Sequence, residues 1–169
     1  MDTKGRFEPV TDLPHATRLL IAGELDRVDT NVWMGGADSR MGEPVTLERL
    51  QRSWVLDCAG RMPPGYRERA ARWESQVFAD VEQDPVQLTV LHDIAQQWAQ
   101  ALREDNDAPE HVYLMCQYGM NRSGLAAGLL LRALGVSTEE TVLRITSWRP
   151  GSLSNQRFRR LLAEAPVRR

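Results

Sequence analysis

Lysine is nearly missing from this 169-residue chain: Lys4 stands alone among 21 basic residues, the rest being arginine. With 23 acidic residues the formal net charge is −2. The basic residues are scattered, so the chain lacks the footprint for bulk binding to nucleic acid or an anionic membrane. Any recognition of an anion must be local. Cysteine is also scarce. Cys58 and Cys116 are the only two, too few for a disulfide framework and wrongly spaced for a zinc site. His15, His92 and His111 lie far apart and form no short ligand pattern, so neither a metal nor another cofactor is expected. No apolar run approaches the roughly 18 residues of a membrane span. The stretch 1–9 is polar, with no apolar segment behind it. The expectation is a protein without a secretory signal or membrane partner, placed in the reducing cytoplasm. Repeats and low-complexity segments are absent as well.

What is present is ordinary globular material, 42% hydrophobic and 26% charged, of a length that fits one domain spanning 1–169. Asn31-Val32-Trp33-Met34 ending in Gly35-Gly36 reads as a strand running into a turn. Residues 46–52 read as a short helix with Thr46 as N-cap. Trp54-Val55-Leu56 reads as a buried strand whose end opens at Asp57 and Cys58. Residues 75–78 form a weaker strand candidate that leads into an acidic loop holding Asp80, Glu82 and Asp84. Between 86 and 103, Leu88, Leu91, Ile94, Ala95, Trp98, Ala101 and Leu102 recur at three and four residues, the stripe of an amphipathic helix.

His92 falls on that helix and reads as a surface or boundary residue. Residues 105–109 are turn chemistry, 111–115 a strand, and 124–134 a helix apolar nearly all round and hence central, stopped by Gly135. Ser137 and Glu140 form a capping box for a helix that ends at Arg149-Pro150-Gly151. Phe158, Leu161 and Leu162 mark a last helix. Strands alternating with helices predict an α/β domain with a central, mostly parallel sheet of about five strands flanked by helices.

The chemistry concentrates in Cys116-Gln117-Tyr118-Gly119-Met120-Asn121-Arg122-Ser123-Gly124, between a predicted buried strand and a predicted buried helix, where α/β sheets place ligands. A helix N-terminus with inward-pointing backbone N–H groups favours both a thiolate and a phosphate dianion. Five residues between Cys116 and Arg122 let the loop curl round one tetrahedral anion, with Gly119 supplying backbone freedom midway. Arg122 can then offer two parallel N–H bonds to phosphate oxygens. Ser123 is placed to donate to the sulfur and help it leave. In a chain this rich in arginine the cysteine-to-arginine spacing is weak by itself, and a free cysteine is most often a small buried hydrophobe. The strand-to-helix setting and the central glycine supply the specificity.

The loop resembles the Cys-x-x-Gly-x-x-Arg-Ser/Thr signature of the dual-specificity branch of the cysteine-dependent protein tyrosine phosphatases. Similar segments are 32–37, 54–59, and Arg149-Pro150 with Asn155 and Phe158, so the resemblance covers about 31–162. It implies phosphomonoester hydrolysis through a phosphocysteine at Cys116, with Arg122 and Ser123 catalytic and Gln117, Tyr118, Gly119, Met120 and Asn121 lining the phosphate site. It also implies an aspartate as general acid. Asp80 is the choice, while Asp84 is read as the helix cap and remains the competitor. Asp57 is read as strand-end hydrogen bonding. Arg149 matches an arginine that in relatives lies near the pocket and meets a second acidic group on the substrate; a salt-bridged helix end is the other reading.

Cys58 is read as core packing, with a reversible disulfide to an oxidised Cys116 as the alternative. The implied partner is a phosphorylated protein or peptide. The loop is also similar to those of RNA 5′-triphosphatases, making triphosphorylated RNA the one nucleic-acid substrate to consider. A noncatalytic phosphate-binding module is the reading from a different class. Met115 stands where the family has histidine, a departure that bears on turnover rather than on phosphate binding. The sequence does not indicate an oligomeric state.

Overall fold

The computed structural model describes residues 13–19, 30–104 and 107–166. Lys4, the polar stretch 1–9, the pair Arg168-Arg169 and the first two residues of the predicted turn 105–109 lie outside them. The elements run β1 (His15–Leu19), β2 (Asn31–Gly36), β3 (Glu43–Pro44), α1 (Leu47–Leu50), β4 (Ser53–Asp57), α2 (Tyr66–Arg69), β5 (Arg72–Ser75), α3 (Leu88–Glu104), β6 (His111–Cys116), α4 (Arg122–Ala133), α5 (Thr138–Trp148) and α6 (Gln156–Glu164).

The strands form one six-stranded sheet in the order β3-β1-β2-β6-β4-β5. Strands β2, β6, β4 and β5 are mutually parallel, and β1 and β3 close one side antiparallel. The mostly parallel α/β architecture is therefore as expected, with one strand more than the count of about five.

Period-two alternation sorts the side chains into two cores. On one face Val32, Met34, Leu56, Val112, Leu114 and Cys116 meet α3, α4 and α6. On the other, Trp33, Val55, Tyr113 and Met115 meet Leu50 and Tyr66 from α1 and α2. Both faces of β6 are covered, and all six of its residues are buried. This is why it reads as a continuous apolar run. Helix α4 is the central helix, buried from Ser123 to Ala133. Its end is a Schellman motif, with Val136 N–H on Leu131 O at 3.0 Å and Gly135 N–H on Arg132 O at 2.9 Å, Gly135 having φ +99°. Among the described residues no helix is long and apolar enough to cross a membrane.

Four points differ from expectation. The strand predicted at 75–78 is observed at Arg72–Ser75. Residues 76–78 still follow β4, through Gln76 N–H to Asp57 O and Phe78 N–H to Cys58 O. As an edge strand β5 carries Arg72, whose guanidinium lies over the Trp54 ring at 5.2 Å, so its burial pattern is not a strand's alternation. Strand β1 was not expected at all, because His15-Ala16-Thr17-Arg18-Leu19 has no clean periodicity. Helix α3 begins at Leu88, and Asp84 does not cap it. The capping box at Ser137 is half made: Ser137 Oγ accepts from Glu140 N–H at 3.2 Å, while the Glu140 carboxylate pairs with Arg144 at 2.8 Å.

Candidate active site

Strand β6 delivers Cys116 to the carboxyl edge of the sheet, and α4 departs from Arg122, six residues on. Between them Gly119 takes φ +74°, a left-handed conformation that costs a residue with a Cβ about 1–2 kcal/mol. The turn brings the Gly119 N–H onto Cys116 Sγ at 3.2 Å. Ser123 Oγ, fully buried at the start of α4, lies 3.3 Å from the same sulfur. Both groups can donate to a sulfur anion. Arg122 sends Nη1 to Phe78 O at 3.3 Å, tying the phosphate-type loop to the segment that leads to Asp80. Its Nε is buried without a hydrogen-bond partner among the described residues. A guanidinium N–H in that state is costly, and it fits a group whose acceptor is an oxyanion.

The loop is supported from below by the end of β2. Ala37 and Asp38 donate backbone N–H bonds to Cys116 O and Gln117 O at 2.9 and 2.7 Å. Gly36 lies so close that a Cβ there would sit 2.5 Å from both Gln117 O and Gly119 N. From the side, Leu153 in the α5–α6 turn, held at φ 58°, donates its N–H to Met120 O at 3.3 Å. Among the predicted lining residues, Gln117 and Tyr118 stand at the rim. Gln117 Nε2 donates to Asp38 Oδ2 at 3.1 Å and to the Tyr118 hydroxyl at 3.3 Å. Tyr118 is exposed, and Met120 faces Ser152.

Asp80 and Asp84 part company. Both Asp80 oxygens are held over the loop, Oδ2 by Asn121 Nδ2 and Oδ1 by Asn155 Nδ2, each at 2.9 Å. Asp84 forms an ion pair with Arg157 of α6 at the surface. The Arg157 hydrogen bond, with its charge, lowers the Asp84 pKa from the ordinary carboxylate value. Its carboxylate is thereby held by α6. Asp57 is the strand-end residue expected, its Oδ1 accepting from Ala59 N–H and Gly60 N–H at 3.1 and 2.9 Å.

Arg149 requires a correction. It is fully buried, and all five of its N–H groups have protein acceptors. Nε reaches Gly119 O at 2.6 Å, Nη1 reaches Thr17 Oγ1 and Met41 O, and Nη2 reaches Ser39 Oγ and Tyr118 O. It has no donor left for a substrate, and these five partners are neutral, so it is not a salt-bridged helix end either. It holds the loop from behind. Burial lowers its pKa, and nearby Cys116 acts in the opposite sense.

Met115 is fully buried in the core on the opposite sheet face, beside Tyr113 and Val45, and offers the loop no hydrogen bond from its side chain. Cys58 follows β4 with its N–H on Met115 O at 2.8 Å. It faces the same core as Cys116. Burial pushes its thiol well above the ordinary value, and Cys116 and Asp57 add to the rise.

No protein-family model and no curated protein sequence matches the chain. Solved structures do. Kinase-associated phosphatase, with its catalytic-site cysteine replaced by serine, aligns at TM-score 0.61 and 16% identity over 90% of this chain and 93% of that one. A protein tyrosine phosphatase from Leishmania major aligns at TM-score 0.60 and 17% identity, covering 89% and 98%. PTPMT1 in complex with PI(5)P aligns at TM-score 0.58 and 19% identity, covering 79% and 88%. The fold is that of the dual-specificity and tyrosine phosphatases. At these identities the likeness is one of architecture.

Of the residues named from the sequence, Ser123 Oγ lies beside Cys116 Sγ, Arg122 opens α4 at the end of the same loop, and Asp80 is bonded to Asn121 of that loop. Sequence reasoning missed Gly36 as the loop's floor, where paired glycines at the end of a buried strand were the available signal. Thr17 and Ser39 as acceptors for Arg149 left no signal, being contacts made across more than a hundred residues. Among the described residues no three of histidine, cysteine, aspartate and glutamate gather where one metal ion could be held.

Proposed function

We propose that the chain is a cysteine-dependent phosphatase that hydrolyses phosphomonoesters, with phosphorylated protein or peptide as substrate. The observation that carries this reading is the convergence of Gly119 N–H and Ser123 Oγ on Cys116 Sγ, in a loop that closes with Arg122, whose Nε is buried without a partner among the described residues. In the first step the Cys116 thiolate attacks phosphorus, the S–P bond forming as the ester P–O bond breaks. Asp80 gives its proton to the leaving oxygen. Arg122 and the N-terminus of α4 hold the equatorial oxygens as charge spreads over them. In the second step Asp80, now a carboxylate, takes a proton from water as that water attacks phosphorus. The S–P bond breaks, Ser123 donates to the departing sulfur, and inorganic phosphate leaves.

The loop contains no lysine, unlike the lysine-bearing loops of inositol-lipid phosphatases, which favours a protein over a lipid substrate. Two free cysteines, one of them the nucleophile, suit a reducing compartment, in keeping with a cytoplasmic site of action. Met115, which cannot orient the loop as a histidine would, favours one second reading, a phosphate-binding module without turnover.

Hydrolysis of a small aryl phosphate separates the two. The wild type should turn over, while Cys116→Ser and Arg122→Ala should not. Asp80→Ala should lose about 10² to 10⁴ on esters with poor leaving groups, with Asp84→Ala near wild type. Absent turnover with retained phosphopeptide binding would replace the enzyme by the module. A large loss in Asp84→Ala alone would reassign the acid. Phosphotyrosine peptide, phosphothreonine peptide and triphosphorylated RNA compared side by side then define the substrate.

A further inference from the structure

Asn121 occupies the N-cap of α4, yet its side chain makes no capping hydrogen bond. Asparagine at such a position normally accepts from the helix's own N–H groups, a contact worth about 1 kcal/mol. Here the side chain is turned to other work. Its Nδ2 donates to Asp80 Oδ2 at 2.9 Å and to Ser154 Oγ at 3.2 Å. Its Oδ1 accepts the backbone N–H of Asn155 at 3.0 Å. Because a backbone N–H can only donate, the amide orientation is fixed by its partners.

Asn155, buried at the N-cap of α6, is the second hand. Its Oδ1 caps Phe158 N–H at 3.1 Å, leaving Nδ2 for Asp80 Oδ1 and Val81 O, each at 2.9 Å. Two amides from two different helix starts thus grip the two oxygens of one exposed carboxylate. The capping N–H groups of α4 are left to an anion in the loop.

We propose that Asn121 is a positioning residue for the reaction: it registers the Asp80 carboxyl over the Cys116 loop so that its proton reaches the leaving oxygen. This rests on the phosphatase reading above. When Asp80 carries its proton, one lone pair on each oxygen remains available to an amide, so the grip persists while the O–H points to the ester. After transfer the same amides stabilise the carboxylate that next deprotonates water. The α4 N-terminus, Arg122 and Ser123 need none of this to bind phosphate. The clamp therefore acts on proton transfer alone.

The test uses full-length protein and aryl phosphates whose leaving groups run from acidic nitrophenol to basic phenol. Asn121→Ala should lower kcat on phenyl phosphate by about tenfold or more, part of the range for a general acid, while nitrophenyl phosphate is little affected. In an Asp80→Asn background the same substitution should have no further effect, the non-additivity of residues acting as one unit. Inorganic phosphate should inhibit wild type and Asn121→Ala equally, which shows the loop intact. Should Asn121→Ala misfold, Asn121→Ser, which shortens the donor but keeps polarity, must show the same leaving-group dependence. Equal losses across the ester series, or a loss that persists with Asp80→Asn, would overturn the clamp and leave the phosphatase standing. Absence of wild-type turnover on every ester would overturn both.

Discussion

Gly36→Ala would install one methyl group on a strand that tolerates it locally and remove most of the activity. A Cβ at position 36 would lie 2.5 Å from Gln117 O and Gly119 N and 2.6 Å from Tyr118 C. All three are backbone atoms of the Cys116 loop, so no side chain can swing aside to make room. Ordinary contact requires the loop to retreat by about 1 Å, or β2 to leave β6, with which it is paired from Asn31 to Gly36. Losing the ladder is the costlier route, so the loop moves.

Overpacking of this kind costs about 1–3 kcal/mol, a fall in Tm of about 2 to 12 °C for a domain of this size. A catalytic cost comes on top of this, because the displaced atoms include the Gly119 N–H on Cys116 Sγ. A misplacement of about 1 Å at a reacting group lowers the rate by about 10², equivalent to about 2.7 kcal/mol. The assay is kcat/KM on an aryl phosphate, alongside a thermal melt. Gly65→Ala serves as control: Gly65 has φ +91°, but a methyl group there would meet nothing within 4 Å, so it should lose stability and keep its kcat/KM. A folded Gly36→Ala protein with wild-type kcat/KM would refute the claim that this close approach sets the loop.

His111 should make the fold acid-sensitive. Burial depresses its pKa, as do Arg49 and Arg52, against the opposite pull of Glu110, and its Nδ1 accepts the Trp33 Nε1–H at 3.1 Å, a bond that only the neutral ring can make. Since the folded pKa lies below the unfolded value of about 6.5, the unfolded chain binds more protons; stability is full above about pH 6.5 and falls as pH drops toward the folded pKa. The loss of Tm between about pH 7.5 and about pH 5.5 should shrink in His111→Asn, and an unchanged loss would remove His111 as its source. Iodoacetamide near neutral pH should spare Cys58, whose thiol is held protonated by burial, until the protein is unfolded; mass spectrometry showing native labelling of Cys58 would contradict its placement. After hydrogen peroxide, over-oxidised Cys116 without a disulfide is the outcome expected if Cys58 only packs the core, and a trapped Cys58–Cys116 disulfide would give Cys58 the redox role instead.

The chain's local chemistry was enough to place most elements and the loop. The largely apolar β6 and α4 declare their burial because both must be covered on every side. Ser137 and Thr46 declare helix starts because a short polar side chain satisfies free N–H groups there. Cys116, Gly119, Arg122 and Ser123 are near neighbours in sequence, so the turn that joins them is written in their spacing.

Contacts between distant segments were not so written. Whether Asp80 or Asp84 faces the loop depends on Asn121 and Asn155 holding one while Arg157 captures the other. Whether Arg149 meets a substrate or the loop's back depends on Thr17 and Ser39, which β1 and the end of β2 bring beneath it. Either arginine or either aspartate has the same local signature. Only packing, by fixing which partners lie within reach of a hydrogen bond, decides which of them is spent on structure and which is left for chemistry.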